Sequence, residues 1–194
     1  MSTTNVFRWS GLALILGGVL LPVHWIMEFA SLGSGITMSD TLNFIATALL
    51  IFGSMGLYCC QIEETGWMGF LGFLLINISN FASLAQTWLP DRGQLVGAAG
   101  VLGPLTGLSL LPGFLLLGIS SWKANKFPRW TALLWIIGAA FIVPGYPLST
   151  MGGAFLGSIL VMIGGTLLGL GLIGAGIKLW SNAVEPASQP LPAN

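Results

Sequence analysis

Charge is what this sequence has least of. Six Lys or Arg and six Asp or Glu make up 6% of its 194 residues, where a soluble domain carries about a quarter. That shortage excludes a water-soluble globule of this length. A net charge of zero leaves no basic surface for nucleic acid, so that class of partner is excluded too. One His and two Cys are too few for a recognisable metal-ligand cluster. No phosphate-binding Gly loop and no Ser-His-Asp set stands out, and one His with one Glu is a thin basis for catalysis. The composition points to a non-enzyme. Cys59 and Cys60 are neighbours on the cytoplasmic side, where disulfides are rare. They read as small buried thiols, with S-acylation at the membrane surface as the alternative.

What the chain has instead is six long apolar runs, over residues 9–30, 41–61, 66–88, 97–122, 130–147 and 153–180. Most reach the roughly 20 residues that a helix needs to cross about 30 Å of hydrocarbon. The expected fold is an all-α membrane protein with six transmembrane helices in one domain, residues 1–181. Residues 182–194, rich in Pro, Ala and Ser, are expected to be a disordered tail. The first run is too long for a signal-peptide core and reads as a retained helix. The Asn77-Ile78-Ser79 sequon falls inside a span and carries no glycan. With the amino terminus in the cytoplasm, the cytoplasmic segments hold Arg8, Lys123, Lys126, Arg129 and Lys178, and the opposite loops hold only Arg92. This bias places both termini in the cytoplasm. Trp9, Trp67, Trp122, Trp130 and Trp180 fall at the same helix ends, where indole prefers the headgroup layer.

The odd helices open alike: Arg8-Trp9-Ser10-Gly11, Gly66-Trp67-Met68-Gly69 and Arg129-Trp130-Thr131-Ala132. Trp9, Trp67 and Trp130, and likewise Gly56, Gly118 and Gly176, recur at about 60 residues. The period predicts three consecutive helical hairpins sharing one orientation, so a pseudo-symmetry axis would lie along the membrane normal. The opening Arg8-Trp9-Ser10-Gly11-Leu12 through Leu16-Gly17-Gly18, with the later Phe127-Pro128-Arg129-Trp130, resembles a broad set of bacterial six-helix multi-pass membrane proteins. The resemblance implies the bacterial cytoplasmic membrane and carries no activity, ligand or residue role. Mitochondrial carriers also stack three hairpins, but their proline-plus-charge signature on the odd helices is missing.

Glycine is abundant, with 28 residues, and much of it lies within the spans. Gly153-xxx-Gly157 and Gly165-xxx-Gly169 mark the sixth helix and Gly103-xxx-Gly107 the fourth. In lipid, small residues let backbones approach closely and gain dispersion contacts. These faces are expected to pack against neighbouring helices of the same chain, with a partner subunit or a homo-oligomer as the alternative. Pro144-Gly145-Tyr146-Pro147 is expected to end the fifth helix.

The polar residues inside the spans are the candidate site. Counting from Trp9, His24 lies about 22 Å along the first helix and Glu28 about 28 Å, on one face. Asn77, Asn80, Ser83, Gln86 and Thr87 fall at similar depth on the third helix, and Asp40, Asn43 and Thr47 open the second. The expected binding set is His24, Glu28, Asn43, Thr47, Asn77, Asn80 and Gln86, a polar cluster in the outer half, with Asn80 and Asn43 the partners of the His-Glu pair. An ionisable group at membrane depth is costly unless paired, which makes function and internal hydrogen bonding the two competing readings. Haem or chlorophyll ligation by His24 is a further alternative, and the sequence specifies no cofactor. The cytoplasmic half shows no comparable polar set, so no path across the membrane is visible. The function expected is a non-catalytic accessory or binding subunit that packs against membrane partners or holds an apolar small molecule in its outer half. The alternative is a small permease.

Overall fold

The computed structural model describes residues 3–30, 38–89, 97–150 and 154–184. All of it is helical apart from short turns, in six helices: α1 (Thr3–Ala30), α2 (Met38–Cys59), α3 (Ile62–Thr87), α4 (Gly97–Ala124), α5 (Arg129–Thr150) and α6 (Ala154–Val184). Five of them, all but α5, are long and apolar enough to cross a membrane, and the apolar part of α5, Arg129–Gly145, is shorter.

Apolar runs place the helices well, and the departures from expectation are local. The second helix starts at Met38, which brings Ser39 and Asp40 into its first turn. In α3 the backbone breaks at Gly66 (φ 54°, ψ −149°) before the regular span. That left-handed φ is open to glycine at no steric cost. Helix α4 closes on Asn125 (φ 53°), whose N–H donates to the Ser121 carbonyl at 3.1 Å, an αL cap that Asn tolerates. The expected stop at Pro144–Pro147 is corrected: α5 continues to Thr150. Gly145 lies against α6 so closely that an added Cβ would stand 3.0 Å from the Gly157 carbonyl oxygen. Packing of this kind is what lets membrane helices run through proline. Helix α6 extends into the expected tail as far as Val184. The rest of that tail, and Arg92, lie outside the described residues.

Each helix packs against the next in sequence, and α6 returns to pack against α1. Neighbours run antiparallel. Gly11 meets Gly176 and Trp180, whereas Gly18 meets Gly169 and Ile173, which orients α1 against α6. Gly53 meets Leu14 and Gly17 meets Leu50 across α1 and α2, and Gly72 meets Leu117 while Gly113 meets Ile76 across α3 and α4. One apolar core draws on all six helices, with Leu14, Leu57, Ile76, Phe114, Trp135 and Leu168 among its members. The described basic residues gather at one end. There Arg8 stacks over the Trp180 ring at 5.0 Å and Arg129 over Trp122 at 5.8 Å. Lys126 Nζ reaches Glu64 Oε1 at 2.7 Å, tying the α4–α5 turn to the start of α3. A partly exposed pair of this kind adds little stability. Its value is as a marker of which termini share an end.

Candidate functional site

His24 sits on α1 one turn before Glu28 and is 4% exposed. Its Nδ1 lies 2.8 Å from Ser39 Oγ and 3.1 Å from the Ser39 carbonyl oxygen. The Ser39 hydroxyl in turn donates to the His24 carbonyl at 3.2 Å. With its own proton committed there, Ser39 Oγ accepts from the ring, which puts a proton on Nδ1. The opposite nitrogen, Nε2, is 3.3 Å from Glu28 Oε2. That contact needs one proton between ring and carboxyl. Glu28 itself is 56% exposed, so the pair joins a buried ring to the bundle surface. Asp40 is buried in the first turn of α2. A carboxylate at that position suits the positive end of the helix dipole. The Trp25 ring lies 4.8 Å from that of His24 and seats on Gly165 of α6, where a Cβ would stand 2.5 Å from Trp25 Cδ1. The result is a clasp between the C-terminal end of α1 and the N-terminal end of α2. Metal ligation would require His24 to give up one of these bonds. Among the described residues no group of three or more His, Cys, Asp or Glu is placed to hold a metal.

The remaining polar residues form separate ties between neighbouring helices. Asn43 Nδ2 donates to Thr87 Oγ1 at 3.1 Å, and Thr47 Oγ1 donates to Asn43 Oδ1 at 3.4 Å, joining α2 to α3. Deeper along the same seam, Asn77 Nδ2 donates to Ser54 Oγ at 3.1 Å and to the Phe73 carbonyl at 2.9 Å. Ser79 Oγ donates to the Thr106 carbonyl at 3.0 Å, joining α3 to α4. The expected single cluster is thus resolved into a series. His24 and Glu28 come together, Asn43 and Thr47 come together, and Asn77 pairs elsewhere. None of the described hydrogen bonds involves Asn80, and Gln86 turns toward Gly103 of α4. The bonds described for His24 reach Ser39 and Glu28, not Asn43 or Asn80. Sequence reasoning missed Ser39 and Ser54. The Ser39-Asp40 pair ahead of an apolar run is a helix-start signal that could have found the first.

The thiols separate in the same way. Cys59 is exposed, while Cys60 is half-buried and donates to the Leu57 carbonyl. Burial pushes the Cys60 thiol up to about 12, which leaves it without thiolate character near neutral pH.

The glycine faces of α6 and α4 differ. On α6 the face is filled from both sides. An added Cβ on Gly164 would stand 2.6 Å from the Gly138 carbonyl of α5, Gly165 is covered by Trp25, and Gly169 abuts Gly18 of α1. On α4 the expectation of burial is corrected. A Cβ on Gly107 would meet nothing within 4 Å among the described residues, and one on Gly103 only Gln86 Nε2 at 3.4 Å. Leu108 beside them is 77% exposed, and Val101 and Leu105 are exposed as well.

No known protein family, curated relative or solved structure matches this chain.

Proposed function

We propose that this chain is a non-catalytic accessory subunit of the bacterial cytoplasmic membrane, whose α4 packs its Gly103/Gly107 face against a transmembrane helix of another polypeptide. In this reading all six helices cross the bilayer as three hairpins with both termini cytoplasmic. The alternating helix directions and the gathering of Arg8, Lys123, Lys126, Arg129 and Lys178 at one end support that arrangement.

The observation that carries the proposal is that a Cβ on Gly107 would meet nothing within 4 Å among the described residues. Lipid tails pack against large side chains as readily as against small ones. A small-xxx-small face adds something only when a second backbone comes close. Leu108, exposed one position on from Gly107, supplies a side chain such a helix would interlock with. The polar groups favour the same class. His24, Asn43, Ser54, Asn77 and Ser79 are engaged in ties between neighbouring helices. Groups so engaged are not free to line the route a permease would need.

The test is a photoreactive benzophenone attached to the Leu108→Cys variant in a background lacking Cys59 and Cys60, irradiated in native membranes. A protein adduct is expected, its mass identifying either a second copy or a different chain, and Gly107→Leu should abolish it. A label on Phe52→Cys, on the lipid-facing side of α2, should capture lipid only. Lipid adducts alone at Leu108→Cys, or a protein adduct that survives Gly107→Leu, would overturn the proposal.

A further inference from the structure

We infer that the groove between α5 and α6 at the basic end of the bundle binds an anionic phospholipid, with one acyl chain along the groove and the phosphate on the Lys178 ammonium. The inference rests on the membrane reading of the fold and is independent of the α4 face.

The groove has a volume of about 410 Å³ and is walled by Trp130, Leu134, Leu170, Ile173 and Ile177, with Lys178 at its rim. Its shape follows from one glycine. The Trp130 ring lies directly on Gly174, where any Cβ would overlap it, so the indole forms a wall of the groove and α6 contributes a bare backbone floor. From Leu170 to Lys178 is about 12 Å along α6 at the helical rise. The groove therefore runs from the hydrocarbon depth to the layer where Trp130 and the basic residues lie. That polarity, apolar along its length and cationic at one end, is the polarity of a phospholipid.

Size and charge narrow the occupant. The groove falls in the range of small-molecule sites, about 300–1,000 Å³. The charge at its rim is available. Lys126 is bound to Glu64, and Arg8 and Arg129 lie over indole rings. No ion pair to Lys178 is present among the described residues. Basic pockets between membrane helices are recognised sites for anionic headgroups. A zwitterionic lipid would fill the same groove but bring no net charge to the lysine.

The experiment is native mass spectrometry of the full chain in mild detergent, titrated with phosphatidylglycerol or phosphatidylcholine of identical chains. Phosphatidylglycerol should bind about fivefold more tightly, the weight of one lysine beside an anionic headgroup. Lys178→Gln should reduce it to the phosphatidylcholine level, whereas Lys123→Gln, on α4, should leave the preference intact. Leu170→Trp, which fills the groove, should weaken both lipids, and Ile177→Trp provides a second blocking variant if the first fails to fold. Excess soluble glycerophosphate should displace neither lipid. Equal binding of the two lipids by the wild type, a preference that survives Lys178→Gln, unchanged binding in both blocking variants, or displacement by glycerophosphate would each overturn the site. Retention of the chain in carbonate-washed membranes tests the membrane reading separately.

Discussion

Two glycine pairs with the same spacing have opposite surroundings in this bundle. Gly165 and Gly169 of α6, with Gly164 beside them, are pressed on by α1 and α5. Gly103 and Gly107 of α4 are half-buried, and a Cβ there would meet at most Gln86 Nε2 of α3 among the described residues. The spacing is therefore not the signal. A close-approach face on α6 holds the fold together, and the same face on α4 is left over after folding, which is the condition for using it in assembly. Their position in the bundle decides this. Helix α6 lies between α1 and α5 and packs heavily on both, whereas α4 packs mainly on α3 and less on α5.

The sharpest way to break this comparison is to overfill the two faces. Gly164→Leu places a side chain where the Gly138 backbone now lies, and should cost about 3 kcal/mol or more of stability, near the upper end for overpacking. Thermal unfolding in detergent would show it, and an unchanged midpoint would mean that α5 and α6 are not in backbone contact. A smaller loss, about 2 kcal/mol, is expected for His24→Ala, which leaves the buried Ser39 groups short of a partner. A double-mutant cycle of His24 with Ser39 should give a coupling on the order of 1 kcal/mol, and one with Asn43 should be additive. The reverse pattern would dissolve the clasp. Smaller again is Ser79→Ala, which removes the hydroxyl tie to α4 at about 0.6 kcal/mol, a typical value for hydrogen bonds between membrane helices. The smallest effect is Gly107→Leu. With no described residue within 4 Å of a Cβ there, the isolated chain should change by no more than about 0.5 kcal/mol.

The helices were legible in the sequence because desolvation in lipid demands long apolar runs, and these are visible without any knowledge of packing. Helix ends were less so. Pro144 looks like a stop in isolation, but Gly145 lets α6 pack beneath it and the helix continues to Thr150. In the site, His24 and Glu28 were findable because their spacing alone places them on one face. Ser39 was not, since its part in the clasp depends on α2 starting at Met38. The sequence expectation puts Asn43, Asn77 and Asn80 at one depth, but Asn77 lies about 15 Å along α3 from the residue that Asn43 meets. Asn43 meets Thr87 and Asn77 meets Ser54. The glycine faces show the same limit. Periodicity marks a helix as able to pack closely, and only the arrangement of the other five helices decides whether that capacity is used inside the chain.

The central claim is that the α4 face is built for a second polypeptide. Its most direct test is the mass of the assembly released from native membranes without detergent, for the wild type and for Gly107→Leu. The account predicts a wild-type particle containing a further helix-bearing chain, either another copy or a different protein, and a Gly107→Leu particle containing this chain alone and still fully folded. A wild-type particle holding only the single chain would contradict it.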